Sequence, residues 1–305
     1  MPSDTANSTQ QPIPIHDTPI LGMTTRPPVE APIEYGSAAS FWVEYPSGLV
    51  DVSRSHHLAK DAEGNVAPDK QPPALGEDQI DIEVDGARTV RIDAKASAVV
   101  IIDMQNFFLH PDLRDHPTGL KCVDPLLNVV PALRQRGVKI LWVNWGLTDH
   151  ELTTIPPSLV RGFMKGGKGG FGAELPGGFG RLLMRDTLNA ELYGPLQDSF
   201  LEGWKAGTDF WIHKNRMSGL WGYQTALDLF LKENGINTLF FAGVNADQCV
   251  LGTLVDAYFR GYDCITLGDA IATSSPEGGL ANVLYNAGNS YGFVTDTTRV
   301  VSSTK

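Results

Sequence analysis

From Ser97 onward the chain alternates short apolar runs with segments whose apolar positions recur at helical spacing. That alternation predicts parallel strands buried on both faces, each followed by an amphipathic helix that lays one face on the sheet. Six runs qualify: SAVVIID (97–103), VKILWVNW (138–145), DFWIHKN (209–215), NTLFFAGV (237–244), DCITLGDA (263–270) and GFVTDTTRVV (292–301). The helical segments among them are CVDPLLNVVPALRQRG, GYQTALDLFLKENG, DQCVLGTLVDAYFRG and PEGGLANVLYNAGN. Three close at Gly137, Gly235 and Gly261, as expected where a left-handed residue ends a helix.

Ahead of Ser97 the pattern changes. FWVEYPSGLVDV predicts a hairpin around Pro-Ser-Gly, and IDIEVDGARTVRI a second hairpin turning at Asp85-Gly86, so 35–95 reads as an accessory β segment, an N-terminal β-hairpin extension. Residues 1–34 are rich in Pro, Thr, Ser and Gln and have too few large apolar side chains to offset their ordering entropy; they read as a flexible arm. The third unit is 96–305, which contains an interval at 146–207 too long for a simple crossover. Its glycine-dense RGFMKGGKGGFGAELPGGFGR lacks the spacing of a phosphate loop and is expected to be a mobile lid or an oligomer contact.

Composition narrows the function classes. Of 305 residues, 24 are Lys or Arg and 35 Asp or Glu, a net charge of −11 that argues against a nucleic-acid partner. With 42% hydrophobic and 19% charged residues the chain can bury a large core. No apolar stretch approaches a membrane span and no leader pattern opens the chain, so no membrane partner and a cytoplasmic location are expected. Three cysteines, Cys122, Cys249 and Cys264, are an odd set that argues for reducing conditions and leaves a thiol for chemistry.

In open parallel sheets ligands sit beyond the carboxyl ends of the strands. Asp103 ends the first run, Lys214 lies near the end of the third, and Cys249 follows the fourth at the start of a helix. Each has an ordinary reading: a turn-forming Asp, a Lys reaching solvent, a small buried Cys. Together they make a chemical set. A thiol at a helix N-terminus beside a Lys is expected to have a lowered pKa. A carboxylate in reach can take the thiol proton and later deliver it to a leaving group. Backbone N–H groups of Asn245 and Cys249 can stabilise an oxyanion.

Three motifs in this order carry a family resemblance: VVIIDMQNFF (99–108), HKNRMSGLWG (213–222) and GVNADQCVLGTLVDAYFRGYD (243–263). Over about residues 95–301 the chain resembles the isochorismatase-like cysteine hydrolases, which include nicotinamidases, N-carbamoylsarcosine amidases and ureido-group amidases. The resemblance implies a Rossmann-like three-layer α/β/α sandwich around a six-stranded parallel sheet, and often a homo-oligomer. It implies Asp103 as general base and acid, Lys214 as electrostatic partner, Cys249 as nucleophile, and a non-proline cis peptide at Val244-Asn245. Where nicotinamidases carry Asp and His metal ligands this chain reads NWGLTDHEL, in which Asp149 and His150 lack the spacing; His110 and the pair His56-His57 form no ligand pattern, so no metal or other cofactor is expected.

Residues flanking the three motifs are the expected walls of a small-molecule pocket: Gln105, Asn106, Phe107, Phe108, Trp145, Leu220 and Trp221. Cys122 and Cys264 read as structural, and strand alternation should turn His213 away from Lys214. The reading is a metal-independent cysteine hydrolase of a C–N bond in a small amide, carbamoyl or ureido compound. Two others stay open: a vinyl ether hydrolase of the isochorismatase type, and a catalytically silent scaffold of the same fold.

Overall fold

The computed structural model describes residues 27–59, 71–164 and 166–305. Most of the expected 1–34 arm lies outside them. Two sheets organise the rest. The N-terminal sheet has the order β1-β2-β3-β5-β4, from Ile33–Ser37 (β1), Ser40–Glu44 (β2), Leu49–Asp51 (β3), Gln79–Val84 (β4) and Arg88–Asp93 (β5). Both expected hairpins are there, as the antiparallel pairs β2/β3 and β4/β5. The segment is more than hairpins, because β3 also pairs with β5 in parallel and β1 pairs with β2.

The central sheet has the order β10-β7-β6-β11-β12-β13, every neighbouring pair parallel. Its strands are β6 (Ser97–Ile102), β7 (Lys139–Trp145), β10 (Asp209–Lys214), β11 (Thr238–Val244), β12 (Asp263–Ala272) and β13 (Gly292–Thr295); a small ribbon, β8 (Glu174–Leu175) and β9 (Gly180–Arg181), lies inside the long insertion. Strands β6 and β11 are buried at every position, which is why their sequences run apolar without alternation. The expected helices follow as α3 (Val123–Gln135), α7 (Ala226–Glu233), α8 (Leu251–Phe259) and α9 (Gly279–Asn286). Gly137, Gly235 and Gly261 take φ of 83°, 63° and 84°, the left-handed turn that releases the chain from each helix.

The last run differs from expectation. The strand stops at Thr295, and Asp296 accepts the backbone N–H of Arg299 to cap a helix, α10 (Thr297–Ser303). An Asp followed by two Thr is a helix-start signal, and it outweighs the β-propensity of the Val pair beyond it.

The two apolar layers are distinct. One face of the central sheet packs on α3, α10 and α6 (Pro195–Ala206), and the other on α7, α8 and α9. The N-terminal sheet joins the first layer: Val50, Val52, Ile80, Ile82, Val90 and Ile92 share a core with Leu126, Val130, Trp142 and Val300. Its docking is also polar. Arg54 grips the buried carboxylate of Asp263 through two nitrogens at 2.6 and 2.8 Å, and Trp42 Nε1 donates to the same carboxylate at 2.6 Å.

The 146–207 insertion is largely built into this framework. Its helix α6 is the crossover to β10, and Leu182, Leu183, Met184, Leu192, Leu196 and Phe200 are buried in the core. Phe163, at the end of α5 (Pro157–Phe163), and Phe171 stand next to Trp145 at the strand ends discussed below, and residues 188–193 bond to Met104, Gln105 and Asn106 just beyond β6. Among the described residues no helix is long and apolar enough to cross a membrane.

Candidate active site

Strand order reverses between β6 and β11, and there the two chains leave the sheet toward opposite layers. Asp103 comes off β6 with φ of 55°, a left-handed turn that Asp tolerates better than most side chains. Cys249 comes off β11 after the cis Val244-Asn245 peptide, inside a single wide helical turn, Ala246–Val250, that leads into α8. The carbonyl of Asn245 accepts the N–H groups of Gln248 and Val250, which bracket Cys249.

Lys214 starts farther off, on edge strand β10. Its register partner on β7 is Trp145. The lysine chain crosses the Trp145 ring with Nζ 3.9 Å from the ring centroid, a cation–π contact, and ends 2.9 Å from Asp103 Oδ2 and 3.7 Å from Cys249 Sγ. The contact with Asp103 joins the charges without an aligned hydrogen bond. Asp103, Lys214 and Cys249 are 0%, 5% and 4% exposed, so three residues from three strand ends meet in a site nearly closed to solvent.

Burial sets the protonation states. Burial pushes the Asp103 carboxyl up from its ordinary range, and the Lys214 ammonium pulls it back. The Cys249 thiol is pushed up to about 12 by burial, with the neighbouring Asp103 carboxylate acting in the same direction and Lys214 against it. The expected lowering of its pKa is therefore corrected: desolvation outweighs the lysine, and the sulfur rests as a thiol facing Asp103. Cys122 is likewise pushed up to about 12, and Cys264 is raised as well, both by burial and neither beside a cation.

The expected pocket residues fall into two groups. Trp145 borders the triad beneath Lys214 and meets Phe163 and Phe171 of the insertion, which stack at 4.2 Å and lie 5.5 and 5.1 Å from it; Phe107 joins this ring cluster 6.5 Å from Phe163. The Trp145 indole N–H faces the Cys249 sulfur and has no aligned acceptor among the described residues. The others are engaged within the protein. Gln105 donates to the carbonyls of Trp145 and Ala190 and accepts from the Trp145 N–H, so it braces the strand end instead of lining a pocket. Asn106 donates to the Leu188 carbonyl, and Phe108 is buried in the first core layer. Leu220 is fully buried in the second layer, and Trp221 is half exposed under Arg216 and donates to Asn215. His213 turns to the face opposite Lys214 and accepts from Trp211 Nε1.

One site residue has no advance signal. His116 is buried and its Nδ1 accepts the Gly119 N–H, which fixes the proton on Nε2 and makes that nitrogen the donor to Asn245 Oδ1 at 2.8 Å. The same oxygen accepts the Ser274 N–H at 3.2 Å, so the side chain beyond the cis peptide is held from two elements. Burial keeps His116 below its ordinary pKa, which preserves the neutral donor form. A sequence separation of 129 between His116 and Asn245 hides this link from any local motif.

Among the described residues no group of three His, Cys, Asp or Glu side chains is placed to hold a metal ion. Asp149 pairs instead with Arg181.

The fold is matched among known proteins. A ureidoacrylate amidohydrolase, RutB, of Caulobacter segnis is 29% identical over 214 residues, 68% of this chain and 85% of its own. A protein of Arabidopsis thaliana named a probable inactive nicotinamidase is 30% identical over 190 residues, 62% of this chain and 86% of its own. The crystal structure of nicotinamidase PncA from Bacillus subtilis superposes with a TM-score of 0.51 at 25% identity, covering 66% of this chain and 98% of that one. The Isochorismatase domain matches residues 97–299, from the first central strand to the last helix. With the fold and two thirds of the chain in agreement, this protein belongs to the isochorismatase-like hydrolases.

Proposed function

We propose that this hydrolase cleaves a C–N bond of a small amide, carbamoyl or ureido compound through a covalent intermediate on Cys249, without a metal. The observation that supports it is the position of Lys214 Nζ, 2.9 Å from Asp103 and 3.7 Å from Cys249. A resting thiol of high pKa needs a base at the moment of attack, and the Asp103 carboxylate is that base. As Sγ bonds to the carbonyl carbon its proton passes to Asp103, and negative charge develops on the carbonyl oxygen. The backbone N–H groups of Asn245 and Cys249 stabilise that oxygen, with His116 holding the Asn245 side chain in register. Collapse of the tetrahedral species breaks the C–N bond, and the nitrogen leaves with the proton from Asp103. Water activated by the same carboxylate then hydrolyses the thioester, or the thiocarbamate in the case of a ureido substrate, and restores the thiol. Lys214 keeps Asp103 ionised between these transfers.

The test is ammonia release from a panel of small amides, carbamoyl compounds and ureido acids, with nicotinamide and isochorismate included, by wild type and Cys249→Ala with and without chelator. Release that needs Cys249 and survives chelation is expected. Pyruvate formed from isochorismate by both proteins would overturn the thiol route, and no turnover of any compound would favour the silent scaffold.

A further inference from the structure

Of the six tryptophans, four have an acceptor for the indole N–H: Trp42 on Asp263, Trp142 on Asp209, Trp211 on His213 and Trp221 on Asn215. Trp204 is 61% exposed and open to solvent. Trp145 is the exception: it is fully buried, and its Nε1 has no aligned acceptor among the described residues. A buried indole N–H ordinarily finds one, because a bond left unmade costs the desolvation of the group. Nor is the ring free to turn in search of one. The Trp145 backbone N–H donates to Gln105 Oε1 at 3.1 Å and to Asp103 Oδ1 at 3.3 Å, and its carbonyl accepts from Gln105 Nε2 at 2.8 Å. Phe163 and Phe171 pack on the ring at 5.5 and 5.1 Å, and Lys214 Nζ lies 3.9 Å from its centre.

The indole N–H faces the Cys249 sulfur, and the charged groups acting on that sulfur are Lys214 and Asp103. One residue thus meets the whole triad, with its backbone N–H on Asp103, its ring under Lys214 and its indole N–H at Cys249. A neutral thiol is a weak acceptor, and at rest its proton is turned to Asp103, so the N–H stays unaligned. Transfer of that proton neutralises the carboxylate and puts the negative charge on sulfur, 3.7 Å from Lys214 Nζ. At 4% exposure the thiolate is cut off from bulk water. A charge-assisted bond from a donor already in place then costs no reorganisation.

We propose that Trp145 is a further catalytic residue, whose indole N–H hydrogen-bonds the Cys249 thiolate as it forms and again as it leaves the acyl-enzyme. The indole keeps its proton throughout; the proton that moves is the one exchanged between Cys249 and Asp103. This role rests on the thiol route proposed above and adds to it the group that shares the sulfur's charge with Lys214. A thiol that burial pushes up to about 12 is the kind of nucleophile that needs such a donor.

The experiment removes the N–H and keeps the ring. Benzothienylalanine in place of Trp145 has sulfur where indole has N–H, and Trp145→Phe is the second variant; thermal melts establish that each folds. The readout is the pH dependence of Cys249 alkylation by iodoacetamide, followed by mass spectrometry in an Asp103→Asn background. Asn keeps the left-handed turn and removes the carboxylate that opposes ionisation of the thiol. Loss of the N–H should move the midpoint up by roughly one to two pH units. The plateau rate should rise by roughly three- to tenfold, because the more basic thiolate is the stronger nucleophile. With Asp103 in place, kcat/KM for any compound turned over should fall by roughly three- to tenfold, through kcat with KM held. A raised midpoint supports the proposal even where no compound is turned over; the hydrolase reading is then the one that fails. A slower plateau at an unmoved midpoint would mean that the ring only shapes access, and a raised KM at an unmoved midpoint that the N–H holds substrate. Either overturns the proposal, while ammonia release dependent on Cys249 would leave the hydrolase reading intact.

Discussion

Cys249 is buried with a thiol pushed up to about 12, so in the proposed mechanism its reactivity follows Asp103 instead of its own ionisation. This gives a signed prediction. If Asp103 acts as the proposed base, activity should fall as pH drops through its pKa, which burial holds above the ordinary carboxylate range. Lys214 lowers that pKa. In Lys214→Met the residual activity should have its acid limb moved to higher pH, as read from kcat/KM against pH; an unmoved limb would show that Asp103 is not the titrating base. Asp103, Lys214 and Cys249 were legible in the sequence because each follows a readable apolar run. Their protonation was not, because the desolvation that reverses the expected direction for Cys249 depends on what covers it. Trp145 was legible only as a ring beside a strand end, and its place beneath Lys214 needs the β7/β10 register. His116 had no signal, since its partner is reached only by folding.

At the scale of elements, the close approach of β11 to β6 holds the strand ends where Asp103 and Cys249 meet. Gly243 sits there with φ of 110°, and a Cβ at that position would lie 2.0 Å from the Ile102 carbonyl oxygen. Gly243→Ala should therefore destabilise the fold by about 3 kcal/mol or more, or yield no soluble protein. Thermal unfolding checks it, and a melting temperature equal to wild type would refute this account of the glycine. Helix ends at Gly137, Gly235 and Gly261 were legible because one residue type decides them locally. The end of β13 was misjudged because a local capping signal at Asp296 competed with a β-prone run. The insertion was legible only in length: its glycines look the same whether they form a loose loop or, as here, connect α5 to a buried crossover.

Over the whole molecule, the N-terminal sheet and the hydrolase layers share one core, closed at the Asp263 carboxylate by Arg54, Trp42 and Thr238. Arg54→Ala leaves that carboxylate 1% exposed without its cation and should cost about 3 kcal/mol. Urea denaturation measures this, and the same variant should be cut faster by protease within 33–93; no change in either would mean that apolar packing alone docks the sheet. The sequence by itself determined the class of fold, the six central strands and the three residues at their ends, because buried parallel strands, helix stops and strand-end polar residues are written in short stretches of chain. Tertiary structure decided the rest: the docking of the N-terminal sheet, the path of the insertion, the thiol state of Cys249 and the clamp from His116. Each of these depends on which distant groups share a volume from which water is excluded, and burial of that kind arises only when the chain has folded.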